Sequence, residues 1–368
     1  MIGELSGRRI VVCCGAGGVG KTTISAAVGL RLAGAGARTA VVTIDPARRL
    51  AAALGMDDLG DEPRRVPPER LDPSVAGELW ALQLDPKATF DRLVARHAPD
   101  PAARERILEN RIYRHLSSAV AGAQEYMAVE RLHELFDEGR FDRIVLDTPP
   151  AQNALDFLDA PRRITRFIEG RALRLLLRPS VPGAGLAWKV LHAGSSTVLS
   201  LLERLTGAQL LRDVADFLGA FDGMYQGFAD RAQEVRALLL SSQAGFVVVA
   251  APDDDAIEQA AALGRRLLDE GYPMAGAVLN RVHPLPDPGP AGPALAAALA
   301  AAGAADADGL AGRVAATIED ARALGLRDLD ARARLSHALA GAEPVVVPAL
   351  LHEPVDVEGL GEVAAALG

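Results

Sequence analysis

An α/β fold with a mostly parallel central sheet flanked by helices, and a helical subdomain inserted between its strands, is what this sequence predicts. Three observations carry the reading: short Val- and Ile-rich runs separated by helix-length segments, a glycine-rich loop directly after the first run, and two gaps too long for one crossover helix.

The runs are 9–14, 39–44, 79–84, 143–146, 246–250, 275–279 and 345–347. Continuous apolar runs of this length read as strands buried on both faces, as in a parallel sheet. The segment Thr23–Leu32 reads as the helix after the first strand. Between Leu84 and Arg143, and between Leu146 and Phe246, helix formers dominate, notably over Ala123–Glu138 and Val198–Leu240. These gaps predict a division into an α/β core at 1–86, 141–158 and 243–368, with a helical insertion at 87–140 and 159–242. Pro- and Gly-rich stretches at Asp61–Ser74, Pro284–Pro293 and Ala302–Gly312 read as surface loops.

Composition narrows the classes. The 368 residues are 49% hydrophobic and 24% charged, which suits a globular core and excludes disorder or a collagen-like fibre. A net charge of −9 gives no electrostatic reason to bind nucleic acid, and none is expected as a partner. The N-terminus lacks a basic start followed by an apolar stretch, and no run of about twenty apolar residues follows, so the expected home is the cytoplasm. Cys13 and Cys14 are adjacent, and neighbouring side chains of a strand face opposite ways, so they build neither a disulfide framework nor a zinc site.

The chemistry concentrates in a few segments. Gly15-Ala16-Gly17-Gly18-Val19-Gly20-Lys21-Thr22 fits the G-x-x-x-x-G-K-[ST] phosphate loop and stands between a strand and a helix, where that loop works. Its amides would cradle phosphates of ATP, Lys21 would reach the β/γ oxygens, Thr22 would coordinate Mg²⁺, and Thr23 continues the loop into the helix. Asp45, in Thr43-Ile44-Asp45-Pro46-Ala47, ends a buried strand, the edge where open parallel sheets bind ligands. It either orients and deprotonates an attacking water or caps the next turn. Asp147 ends the run Ile144-Val145-Leu146, the Walker-B shape, and would hold Mg²⁺ opposite Thr22. Asn280, after Val278-Leu279, either reads an adenine edge or is a turn residue, and Val347-Pro348-Ala349-Leu350 either floors a base pocket or ends a strand.

The phosphate loop, Asp45-Pro46-Ala47 and Asp147-Thr148-Pro149-Pro150, followed by Leu155-Asp156-Phe157-Leu158, resemble the ArsA family of P-loop ATPases, which includes arsenite-pump ATPases and the ATPases that target tail-anchored membrane proteins. Segments 79–86, 247–252 and 350–353 and Asn280 also resemble landmarks of that family. The resemblance implies a dimer that closes around ATP with switches near 45–50 and 147–155. It makes Asp45 the water-activating acid, Asp147 the magnesium acid and Asn280 the adenine reader, and it implies a helical subdomain that follows the nucleotide state.

Departures from the pattern matter as much. The family usually carries a second lysine where this chain has Ala16. Slow turnover, substitution by Arg48 or Arg49, or a heterodimer with a paralogue that donates the lysine each follow from that loss. Only Cys13 and Cys14 supply thiols, against several thiolates needed by As(III), so arsenite is not the expected ligand, and the zinc CxxC of some targeting ATPases is absent. No metal besides Mg²⁺ is expected. Residues 161–178 alternate arginines with Ile164, Phe167, Ile168, Leu175 and Leu176, which suits either a helix packed within its subdomain or a basic amphipathic segment on a membrane surface or partner helix. Two functions follow: a Mg-dependent ATPase whose hydrolysis switches a homodimer or heterodimer coupled to a protein or membrane partner, or a nucleotide-gated regulatory subunit with little turnover. Switch ATPases that position plasmids or division machinery are a lesser alternative.

Overall fold

The computed structural model describes residues 1–45, 47–98, 100–110, 123–148, 225–289, 292–352, 354 and 356–368. In chain order the elements begin with α1 (Ile2–Leu5), β1 (Ile10–Gly15), α2 (Lys21–Gly34), β2 (Arg38–Thr43), α3 (Arg49–Ala53), β3 (Arg64–Arg65) and β4 (Glu78–Gln83). Next come α4 (Pro86–His97), α5 (Pro101–Glu109), α6 (Ala123–Glu138), β5 (Arg143–Asp147), α7 (Tyr225–Leu240) and β6 (Ala244–Ala250). The rest are α8 (Asp254–Asp269), β7 (Met274–Val282), α9 (Gly292–Ala301), α10 (Ala307–Ala338), β8 (Val345–Pro348) and α11 (Val357–Ala366).

The chain divides into two compact units, one of Met1–Gln83, Gly139–Ala154 and Leu239–Gly368, the other of Leu84–Glu138 and Leu155–Leu238. The first holds an eight-stranded sheet of order β3-β4-β2-β5-β1-β6-β7-β8. Every pairing is parallel except β3 with β4. Because β1 lies between β5 and β6, its six residues are buried on both faces, and the apolar run that predicted it follows from that position. Helix α2 packs on β1, β2, β4 and β5 and against α11, while α8 packs on β6 and α10.

Each run expected to be a strand is one. Three loop expectations need correction. Asp61–Ser74 contains β3, an antiparallel edge strand of two residues, too short to leave a periodic trace. Helix α10 begins at Ala307, inside the expected loop Ala302–Gly312, because Asp306 Oδ1 accepts the Gly309 amide at 3.0 Å and caps it. Helix α9 begins at Gly292, within Pro284–Pro293, and Ala-rich composition carries it onward.

In the second unit, Asp85 caps α4 by accepting the amides of Lys87 and Ala88. Its helices bury charge: Glu130, Arg131 and Glu134 of α6 are nearly inaccessible. Arg231 of α7 donates to Glu130 at 2.8 Å, and Arg131 to Glu134 at 3.1 Å. Burial pushes the Glu130 carboxyl up to about 7 despite Arg231. The basic segment 161–178 and most of Val198–Leu240 lie outside the described residues.

Candidate functional site: the phosphate loop and its carboxylates

Sheet order decides where the site lies. Strand β1 runs into the phosphate loop, and the strand order reverses on either side of it, the switch point at which open parallel sheets bind ligands at their C-terminal edge. The loop needs its glycines for different reasons. Gly18 and Gly20 have φ of 77° and 87°, the left-handed region closed to most side chains, whereas Gly15 must be small because a Cβ there would stand 2.0 Å from the Val249 carbonyl oxygen.

Helix α2 begins at Lys21 with Gly20 as its cap residue and no side chain accepting its first amides. A helix start left uncapped is a place for an anion, since amide dipoles and the helix field both favour negative charge. Lys21 is buried, and its Nζ donates to the Ala16 carbonyl at 2.7 Å. Burial lowers its pKa from the ordinary lysine value, while Asp147, Cys14 and Asp45 draw it back up. Thr23 follows Thr22 in the first turn of α2.

Two parallel pairings bring Asp147 to this loop: it lies opposite Cys13 of β1 and opposite Thr43 of β2. One carboxylate oxygen, Oδ2, accepts the Thr22 hydroxyl at 2.7 Å and the Thr43 hydroxyl at 2.9 Å. The other, Oδ1, is buried without a hydrogen-bond partner among the described residues. Burial raises the carboxyl to about 6, opposed by the two hydroxyls and by Lys21. A buried carboxylate oxygen without a donor beside a threonine hydroxyl is a hard oxygen donor set, and Mg²⁺ fits it.

Asp45 is spent within its own loop. Its Oδ1 accepts the Ala47 amide at 2.9 Å, and its Oδ2 pairs with Arg49 Nη1 at 3.2 Å. That is the turn-capping arrangement, one of the two readings the sequence left open. Arg49 acts electrostatically on Lys21, lowering its pKa, so it contributes positive potential at the loop. Arg48 is elsewhere engaged, 3.9 Å from Asp58 with a left-handed φ of 50°.

Asn280 stands in β7 rather than after it, is buried, and donates Nδ2 to the Val19 carbonyl at 2.9 Å. A Cβ on Gly20 would stand 2.3 Å from that nitrogen, so a side chain there would displace the Asn280 amide. Val347 is buried in β8, Pro348 ends that strand, and Ala349 donates its amide to Val282. Pro46 and the segment 149–155 of the second expected switch lie outside the described residues.

Sequence reasoning passed over Thr43 and Arg281. Thr43 was visible as a hydroxyl residue closing an apolar strand two positions before Asp45, but its role depends on register with β5. Arg281 left no signal beyond its place after Asn280.

The profile of the anion-transporting ATPase family, ArsA_ATPase, matches residues 8–289. ATPase ARSA1 of Chlamydomonas reinhardtii is 25% identical over 308 residues, 75% of this chain and 35% of the relative. ATPase ASNA1 homolog 1 of Paramecium tetraurelia is 30% identical over 151 residues, 40% of this chain and 42% of the relative. ATPase GET3 of Malassezia globosa is 26% identical over 161 residues, 43% of this chain and 45% of the relative. The chain thus spans less than half the length of these relatives. The matched span takes in the phosphate loop, both carboxylates and all of β7, and the chain belongs to the ArsA family, the anion-transporting ATPases.

Proposed function

We propose that this chain is a Mg-dependent ATPase in which ATP binding and hydrolysis drive a dimer between two conformations, coupled to a protein or membrane partner. The observation that carries the reading is the Thr22–Asp147 pair, with its unpartnered Oδ1, set beside an uncapped helix start that carries Lys21. Thr22 and Asp147 would hold Mg²⁺, which neutralises phosphate charge when bound. The loop amides and Lys21 bind and orient the triphosphate, and Lys21 exchanges its bond to Ala16 for phosphate oxygens. Asp45 takes a proton from water as the water oxygen attacks the γ-phosphorus and the bond to the β–γ bridging oxygen breaks, releasing ADP and phosphate. In that role Asp45 must first leave Arg49 and the Ala47 amide.

Asn280, whose other amide atom remains, serves the adenine edge. Dimer formation, with a second copy or a paralogue, and contact with a membrane surface or membrane protein are part of the same proposal. No helix among the described residues is long and apolar enough to cross a membrane. The two thiols support a client other than arsenite: Cys13 and Cys14 are buried, and burial raises both above the ordinary range, which disfavours thiolate.

A second reading, a nucleotide-gated regulatory subunit with little turnover paired with an active paralogue, is favoured by Ala16 and by the engaged carboxylate of Asp45. Steady-state phosphate release by the pure chain, beside Lys21→Ala and Asp45→Asn, separates the two. Activity in the parent that both variants lose supports the enzyme; ATP uptake without phosphate release by the parent supports the subunit.

A further inference from the structure

A loop that turns its amides toward a phosphate turns carbonyls away from it, and each of those needs a donor. The Gly20 carbonyl receives the Ile24 amide of α2 at 3.0 Å, and three further carbonyls of this loop are served by side chains. Lys21 serves Ala16 at 2.7 Å, Asn280 serves Val19 at 2.9 Å, and Arg281 Nη1 serves Gly18 at 3.1 Å. Two of the donors are consecutive residues of one strand. In a regular strand neighbouring side chains point to opposite faces, so Asn280 and Arg281 reach the same loop only because β7 is irregular there. Arg281 has a φ of 61°, left-handed for a residue with a side chain, and the register of β7 against β8 shifts between Leu279 and Val282. The irregularity is moored on its far side: His283 sets its backbone amide and Nδ1 2.7 and 2.8 Å from Oδ2 of the fully buried Asp328 in α10.

We propose that Arg281 is a positioning residue for nucleotide binding: set by the bulge in β7, its guanidinium holds the Gly18 carbonyl and keeps the phosphate loop curled with its amides toward the ligand. The proposal rests on the ATP reading above. It assigns work at the phosphate end to the neighbour of Asn280, and it gives the local backbone strain a purpose.

The test uses the full chain and measures MgATP affinity by calorimetry, steady-state KM and kcat, and melting temperature without nucleotide. Arg281→Ala is expected to raise Kd and KM about tenfold, the loss of one charge-assisted hydrogen bond, with kcat within about twofold and the nucleotide-free melting temperature little changed. Arg281→Gly, which relieves the left-handed strain but has no donor, is expected to match Arg281→Ala, and Arg281→Lys to recover part of the loss. Parental affinity in Arg281→Ala overturns the proposal, as does parental affinity in Arg281→Gly, which would make backbone geometry alone the cause. A fall in melting temperature with Kd and KM unmoved also overturns it. Should Arg281→Ala not fold, the Lys and Gly variants decide by the same affinities. If the parent itself takes up no MgATP while folded, the ATP reading has failed; if the parent binds and Lys21→Ala does not, the reading stands and the Arg281 variants judge this proposal alone.

Discussion

Thr22 and Asp147, 125 residues apart in the chain, share a hydrogen bond of 2.7 Å at the mouth of the phosphate loop. The same carboxylate oxygen takes a second bond from Thr43, so one acid ties together the start of α2 and the C-terminal ends of β2 and β5.

The two hydroxyls should separate on substitution. Thr22→Ala is expected to lower magnesium-dependent ATP turnover about 100-fold, the scale of losing one electrostatic contact to a transition state, and to cost about 1 kcal/mol of stability because it too takes a donor from Asp147 Oδ2. Thr43→Val is expected to cost about 1–2 kcal/mol of stability, since it strips a buried acceptor of a donor, with a smaller loss of turnover. Phosphate-release assays and urea melts of both variants check the split.

Gly15→Ala and Gly20→Ala test two kinds of glycine requirement. An added Cβ at 15 stands 2.0 Å from a backbone oxygen of β6, which cannot move without the sheet, whereas at 20 it stands 2.3 Å from the end of the Asn280 side chain. Gly15→Ala is therefore expected to destabilise by about 3 kcal/mol or more. Gly20→Ala should cost about 1–2 kcal/mol, chiefly from its left-handed φ, while abolishing the rise in melting temperature on adding MgATP. Equal losses in thermal or chemical melts would contradict the distinction.

Arg49 is more than half exposed, so its pair with Asp45 contributes at most about 1 kcal/mol to stability. Its charge also acts on Lys21 at the phosphate loop. Arg49→Ala is expected to weaken ATP binding about threefold at low salt, with the difference shrinking as ionic strength rises. Titrations in increasing NaCl read this directly.

Glu130 predicts a pH dependence in the helical unit. Arg231 from α7, Arg96 from α4 and Glu134 from its own helix act on it, and burial outweighs the two cations, raising it from 4.5 to about 7. A carboxyl raised on folding binds more protons in the folded chain, so its contribution is fully present below about pH 4.5 and is lost as pH rises through about 7. Between pH 5 and 8 the parent should lose on the order of 2 kcal/mol more than Glu130→Gln. Urea unfolding followed by helical circular dichroism at several pH values is the measurement, and parallel curves for the two proteins would contradict it.

Much of this was local and therefore legible from the chain alone. Seven strands announced themselves because a strand buried on both faces must be apolar along its length, and the phosphate loop announced itself because φ near 80° at Gly18 and Gly20 admits little else. The charged run of α6 hid its burial, since residue types that normally meet water enter a core only when partners such as Arg231 arrive from another helix.

The sequence by itself determined the sheet, the loop and the identity of the acids, because periodicity, backbone sterics and strand-end chemistry act over a few residues. Only the tertiary structure decided which distant groups meet: the register that sets Thr43 beside Asp147, and the bulge that brings Arg281 to Gly18. Those are contacts between segments up to 263 residues apart, fixed by strand order and by the twist of one backbone angle, and no local pattern encodes them.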